Sequence, residues 1–205
     1  MNGKRLLLVE GKDDKHIVYH LAKHHSIPDV FDVEECDNDN QLLTSIPVRF
    51  KGSEIERLAV ILDADQGVSQ RWDQLSHLLG NVPGVSFPRT PNPQGTIIHT
   101  PDSPLFGVWL MPNNSIPGMM EDFLSFLVPD DDPLLPQVDE FLRNIPDNIR
   151  RFPDKHLSKA RIHSWLAIQK EPGKRLGTAI TARYLDASLD VVKPFVKWLR
   201  AVLVD

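Results

Sequence analysis

The chain is poor in the residues that staple small secreted folds and in the runs that cross membranes. It has one cysteine, Cys36, in 205 residues, which excludes an internal disulfide. No apolar stretch approaches the length of about 20 residues that a membrane-spanning helix needs. The first residues run directly into a strand pattern, without the layout of a secretory leader. These features give an expected location in the cytoplasm and no membrane partner. Tyrosine is scarce: Tyr19 and Tyr184 are the only two, and neither has the context of a nucleophile. Cys36 also lacks such a context and reads as structural. There is no internal repeat and no low-complexity segment. What remains is ordinary for a globular protein, with 41% hydrophobic and 25% charged residues.

The net charge of −5 conceals an asymmetry. Residues 1–142 hold 10 Lys and Arg against 22 Asp and Glu, a net of −12. Residues 143–205 hold 13 against 6, a net of +7. An acidic part joined to a basic part suits a polyanionic substrate, with cations bridging on one side and Lys or Arg meeting phosphates on the other. Solvated helix faces explain the same charge blocks equally well.

Two apolar runs end abruptly in carboxylates. Leu7-Leu8-Val9 leads into Glu10-Gly11-Lys12-Asp13-Asp14, and Leu58-Ala59-Val60-Ile61-Leu62 leads into Asp63-Ala64-Asp65. Continuous apolar runs of this length read as strands covered on both faces. The spacing predicts strands over 5–9, 31–36, 58–62, 96–99 and 106–110. Helices are expected over 13–24, around 42–46, and after Ser69, the expected N-cap of a helix carrying Trp72, Leu75, Leu78 and Leu79. Residues 81–95, rich in Pro, Gly and Asn, read as loop. From Met119 onward the pattern is helical: 119–127, 134–143, 156–169, 178–185 and 191–203. The expectation is an α/β fold with a mainly parallel sheet flanked by helices and a C-terminal helical extension, divided as 1–127 and 128–205.

In open α/β sheets ligands bind beyond the carboxyl ends of the strands. Glu10, Asp63 and Asp65 are therefore expected to project into one crevice. Carboxylates gathered there repel one another, and a hard divalent cation such as Mg²⁺ or Mn²⁺ relieves the repulsion. Asp14, one helical turn beyond Glu10, is expected to face the same pocket. Asp13 and Asp14 also suit a helix N-terminus electrostatically. Asp63 and Asp65 have no helix to cap near them in sequence. Elsewhere, His16, His20 and His24 share one helical face, which reads as a solvated or interface face. His99 and His163 fall in apolar patterns and read as core or interface groups. Asp130-Asp131-Asp132 reads as a solvated turn. Gly173-Lys174-Arg175-Leu176-Gly177 lacks the strand and spacing of a phosphate loop. The Trp165-Leu166 and Trp198-Leu199 pairs read as helix packing.

The order and spacing of Glu10-Gly11-Lys12-Asp13-Asp14 and Asp63-Ala64-Asp65, each closing a buried strand, resemble the Toprim fold. That fold serves topoisomerases, primases, OLD-family nucleases and small ribonucleases that mature ribosomal RNA. The resemblance covers about residues 5–125. Gly107-Val108-Trp109-Leu110-Met111-Pro112, Gly118-Met119-Met120-Glu121-Asp122-Phe123-Leu124 and Ser158-Lys159-Ala160-Arg161-Ile162-His163-Ser164-Trp165 are similar to segments of small Toprim-related proteins. The last two also resemble OLD nucleases, which implies that Glu121 and Asp122 hold a second metal and that Lys159 assists at the phosphate.

By this resemblance the expected metal ligands are Glu10, Asp14, Asp63, Asp65, Glu121 and Asp122, with Glu10 and Lys159 as the catalytic residues. The implied activity is Mg²⁺- or Mn²⁺-dependent cleavage of DNA or RNA. No tyrosine-nucleophile domain or fused ATPase domain accompanies the motifs, so a separate ATPase partner is an expectation, as is self-association through the C-terminal helices. Two other readings stand beside it: a non-catalytic binding or regulatory subunit, and an enzyme acting on small phosphate compounds.

Overall fold

The computed structural model describes residues 3–80, 82 and 85–205. Strands β1 (Lys4–Val9), β2 (Asp32–Glu35), β3 (Ile55–Asp63), β4 (Thr96–Ile98) and β5 (Leu105–Met111) form one sheet in the order β2-β1-β3-β5-β4. All neighbours are parallel except β4, which runs antiparallel to β5. The fold is thus α/β with a mostly parallel sheet. Helices α1 (Lys12–His24), α2 (Asp39–Phe50), α3 (Val68–Leu79) and α4 (Met120–Ser125) join or follow the strands. Helices α5 (Leu135–Arg143), α6 (Leu157–Ala167), α7 (Leu176–Thr181) and α8 (Lys193–Leu203) complete the chain.

The central strands are apolar over Leu6–Val9, Leu58–Leu62 and Phe106–Met111 because both faces are covered there. Alternate residues of β1, β3 and β5 point to opposite sides. Leu7, Val9, Ala59, Ile61, Trp109 and Met111 join the core built with α1 and α4–α8. Leu6, Leu8, Leu58, Val60, Leu62, Phe106, Val108 and Leu110 join the core built with α2 and α3. Each fully buried Leu, Val or Ile contributes about 1.5–3 kcal/mol relative to exposure. Residues 128–205 therefore supply much of one layer. Phe195, Trp198, Leu199 and Val202 of α8 lie against the sheet, fully or nearly fully buried. Pro194 sits in the first turn of α8, where its missing N–H is harmless.

Two glycines set how closely the helices approach. A Cβ on Gly107 of β5 would meet the Val202 side chain at 2.6 Å, so this glycine lets α8 sit low on the sheet. A Cβ on Gly177 of α7 would meet His20 at 2.7 Å and the backbone of His16 at 3.0 Å. Gly177, in the glycine-flanked Gly173–Gly177 segment, is thus a packing residue against α1. The C-terminal carbonyls of α8, which a helix leaves without partners, accept bonds from two strands. Arg5 donates to Leu203 and Val204, and Arg57 to Ala201 and Val202.

The chain leaves β1 toward β2 by way of α1 on one face. It then returns past β1 to β3 and onward by way of α2 and α3 on the other face. The direction reverses between β1 and β3. Such switch points open a crevice beyond the strand ends, and Glu10 and Asp63 stand there.

Candidate metal centre

Glu10 follows β1, and its Oε1 accepts a hydrogen bond from the backbone N–H of Asp63, at the end of β3, at 2.8 Å. Asp63 accepts through Oδ1 from the N–H of Met120 at 2.9 Å. Met120 opens α4, so Asp63 does meet a helix start, contrary to the sequence expectation. The reason is topological: β5 lies beside β3 in the sheet. The segment leaving β5 returns over the end of β3, a neighbour that sequence distance hides.

Helices α1 and α4 bring two more acids. Asp14 accepts from the Gly11 N–H at 2.9 Å and so caps α1. Asp122 caps α4, its Oδ2 accepting from the Met119 N–H at 2.8 Å. Its Oδ1 accepts from the Ser158 hydroxyl at 2.5 Å. Glu121, one residue earlier, is only 8% exposed. Lys159 Nζ, at the start of α6, lies 3.6 Å from Glu121 Oε1.

These groups shift one another's protonation. Burial pushes the Glu10 carboxyl up to about 7; repulsion from Asp14 adds to this, and the bond from the Asp63 N–H opposes it. Burial pushes Asp14 up to about 6, with Glu121 adding repulsion and the Gly11 N–H and Lys159 opposing. Asp63 is raised well above the usual carboxylate range by burial and then by Glu10, Asp14 and Glu121. Burial would lower the Lys159 ammonium, but the attraction of Glu121, Asp63 and Asp14 outweighs it and holds the group above its ordinary value. Glu10, Asp14, Asp63, Glu121 and Lys159 thus form one electrostatic unit with more acid than base.

Asp65 has a charged partner of its own: its exposed carboxylate pairs with the guanidinium of Arg71. Asp65 adopts the left-handed conformation, with φ +50°. Its backbone makes a two-way bridge with Gly118: Asp65 N–H to Gly118 O at 2.9 Å, and Gly118 N–H to Asp65 O at 2.8 Å. This turn carries the Asp65 side chain toward Arg71 of α3, from where its charge still adds to the repulsion on Glu10.

Arg71 is not among the residues that the motifs single out. Its side chain is 6% exposed. Nε donates to the Asp63 carbonyl at 2.9 Å, and Nη1 donates to Asp39 Oδ2 at 3.2 Å and Gln74 Oε1 at 3.1 Å. A signal exists in the sequence: Arg71 falls on the stripe of Val68, Trp72, Leu75 and Leu79, where a charge needs an explanation. Helix α3 begins at Val68 with Gly67 at its cap, so Ser69 lies inside the first turn and is not the N-cap.

Among the histidines, His16 and His24 are exposed, in keeping with the solvated face expected of them, while His20 Nδ1 lies 2.5 Å from the Thr181 hydroxyl of α7. His99 and His163 are exposed, so neither is a core group. Asp132 is more than part of a solvated turn. Its Oδ1 accepts from the Leu134 and Leu135 N–H groups and from Trp165 Nε1 at 3.0 Å, tying the start of α5 to α6.

The donor set fits a hard divalent cation: the acids are oxygen-only, crowded and short of positive charge. Among the described residues, no group of three or more His, Cys, Asp or Glu side chains stands ready-made around a common cation position. Binding would therefore draw the carboxylates together.

Fold and site define a class: an α/β protein with an acidic cluster at the switch point of a mostly parallel sheet. The chain belongs to the family of proteins of unknown function DUF3226, which it matches over residues 4–204. No curated protein and no solved structure matches it. No helix among the described residues is long and apolar enough to cross a membrane.

Proposed function

We propose that this chain is a divalent-metal-dependent phosphodiesterase that acts on nucleic acid through a Toprim-type acidic site. The observation that carries the reading is the gathering of Glu10, Asp14, Asp63 and Glu121 with Lys159 at the β1–β3 switch point. Residues distant in sequence converge there, and their carboxyl groups are raised by burial and mutual repulsion. Clefts with such groups are where proteins concentrate reactive chemistry.

Glu10, Asp63, Asp14 and Glu121 would hold Mg²⁺ or Mn²⁺, with Asp65 and Asp122 at the margin. The ion supplies charge neutralisation at the phosphoryl oxygens and an activated water. The chain supplies the rest. Glu10 keeps Oε1 on the Asp63 N–H, which fixes its orientation and leaves Oε2 to meet the ion or take a proton. Lys159 contributes positive charge beside the scissile phosphate. The basic character of residues 143–205 favours a long polyanion over a small phosphate compound. A separate ATPase partner and self-association belong to the same proposal.

The test is cleavage of DNA and RNA by purified protein with Mg²⁺ or Mn²⁺, compared with chelator. Asp63→Ala is expected to abolish the metal-dependent component. Equal cleavage by the variant rules out this site as its source. A second reading, a non-catalytic subunit on the same scaffold, is favoured by one observation: Asp65 and Asp122 already have partners in Arg71, Met119 and Ser158. Calorimetry with Mn²⁺ separates the two, because a purely structural acidic cluster takes up no ion.

A further inference from the structure

We infer that Arg71 is a positioning residue that withholds Asp65 from the cation, so that the Glu10–Asp63 crevice takes its ion without the second acid of the Asp63-Ala64-Asp65 motif. The inference rests on the acidic-site reading above and deepens it.

The geometry is specific. Arg71 is buried among the apolar residues of α3, yet two of its polar contacts go to the Asp63-Ala64-Asp65 segment. Nε–H holds the carbonyl of Asp63, the residue that supplies the central carboxylate. One terminal nitrogen holds the Asp65 carboxylate, and the other reaches Asp39 at the start of α2 and Gln74 of α3. A planar guanidinium with donors on three sides suits this task, whereas an ammonium does not present that fork.

The backbone reinforces the arrangement. The left-handed turn at Asp65 and its bridge to Gly118 point the side chain at α3. For Asp65 to reach an ion beside Glu10 and Asp63, it would have to leave the buried Arg71 guanidinium, which would keep Asp39 as its one charged partner. Taking a carboxylate from a buried guanidinium costs free energy. The pair is therefore a standing competitor with the ion for Asp65. Arg71 also brings a positive charge toward Glu10, opposing a second cation on that side.

The experiment is Mn²⁺ binding, by calorimetry and by the loss of the free-ion paramagnetic resonance signal. It compares the full chain, Arg71→Met, Asp65→Asn and the double variant, with near-ultraviolet circular dichroism to confirm folding. Arg71→Met is expected to tighten Mn²⁺ binding by about tenfold, because it removes an opposing charge and releases a carboxylate. In the Asp65→Asn background the same change is expected to tighten binding by no more than about threefold, and that non-additivity is the signature.

If Arg71→Met does not fold, Arg71→Lys takes its place. It keeps the charge but loses the fork, and is expected to give a smaller tightening that also depends on Asp65. Unchanged or weaker binding in the Arg71 variant, with the unmodified chain binding Mn²⁺, overturns the inference and leaves the acidic-site reading intact. Binding seen only after Arg71 is changed supports the inference strongly. No Mn²⁺ uptake by any of the four proteins overturns both.

Discussion

Helix α1 starts Gly11-Lys12-Asp13-Asp14, and helix α4 starts Met119-Met120-Glu121-Asp122. Both place acids at their second and third positions, and in both the third-position acid accepts from the cap N–H. The rest differs. In α1 the capping acid, Asp14, also faces the cluster, while Asp13 is exposed. In α4 the capping acid, Asp122, turns to Ser158, and the second-position acid, Glu121, is buried against the cluster. Helix-start electrostatics explains acids at these positions equally well in both cases. Only the direction from which each helix approaches the switch point decides which acid serves the site.

The comparison breaks most visibly in activity. Glu121→Gln and Asp14→Asn are each expected to lower metal-dependent cleavage by about 10²-fold or more, the scale of a single electrostatic contributor. Asp13→Asn is expected to stay within about twofold in the same assay. If Asp13→Asn falls as far as Asp14→Asn, the α1 start acts as a whole and the distinction fails.

The next effect is on stability against pH. The folded protein binds protons at Glu10 and Asp14 more tightly than the unfolded chain, with carboxyls near 7 and 6 against 4.5 and 3.8. The unfavourable charge is absent well below pH 4, develops as pH rises, and is fully present above about 7. Urea unfolding of the ion-free protein is therefore expected to show a loss of about 2 kcal/mol between pH 5 and pH 8. A tenfold change in proton affinity is worth about 1.4 kcal/mol, and solvent screening at the crevice mouth reduces the sum. Millimolar Mg²⁺ is expected to flatten this slope. A flat profile without the ion means that burial and repulsion do not raise the Glu10 and Asp14 carboxyls in solution.

The smallest effect separates capping from clustering. Asp122→Ala is expected to destabilise the ion-free protein by about 1 kcal/mol at pH 8, the usual cost of a lost N-cap partner. Asp14→Ala loses the same kind of cap but also relieves repulsion, so its thermal midpoint at pH 8 is expected to change less. Equal losses would show that Asp14 is only a cap.

Much of the fold is legible in the sequence because its strands are buried on both faces. Leu6–Val9 and Leu58–Leu62 carry no alternation, and a helix of that composition would be longer. The acids Glu10 and Asp63 are legible for the same reason, since charges that close apolar runs stand out. Three things are not. The start of α4 reaches Asp63 only because β5 neighbours β3, a fact of sheet order. Arg71 reads as one polar residue in an amphipathic helix until its stripe is drawn. Asp65 looks equivalent to Asp63 by motif, and a single left-handed residue sends its side chain to a different partner. His99 and His163 are not core groups, because apolar sequence neighbours do not fix which side of an element a residue occupies.

The two-way backbone bridge between Asp65 and Gly118 fastens the loop after β3 to the loop that starts α4. Gly118 has φ +141°, and a Cβ there would meet the Asp122 carboxylate at 2.7 Å, so the fastening depends on glycine. Asp63, Asp65, Glu121 and Asp122 are thus carried by two loops fastened to each other, so a displacement of one loop is passed to the other. Helix α6 anchors this pair of loops from the other side, through Lys159–Glu121 and Ser158–Asp122, and is itself fixed by Arg161–Asp139, by Trp165–Asp132 and by buried Ile162, Trp165 and Leu166. The acids of the site are thus set in a frame that is closed on every side the chain reaches.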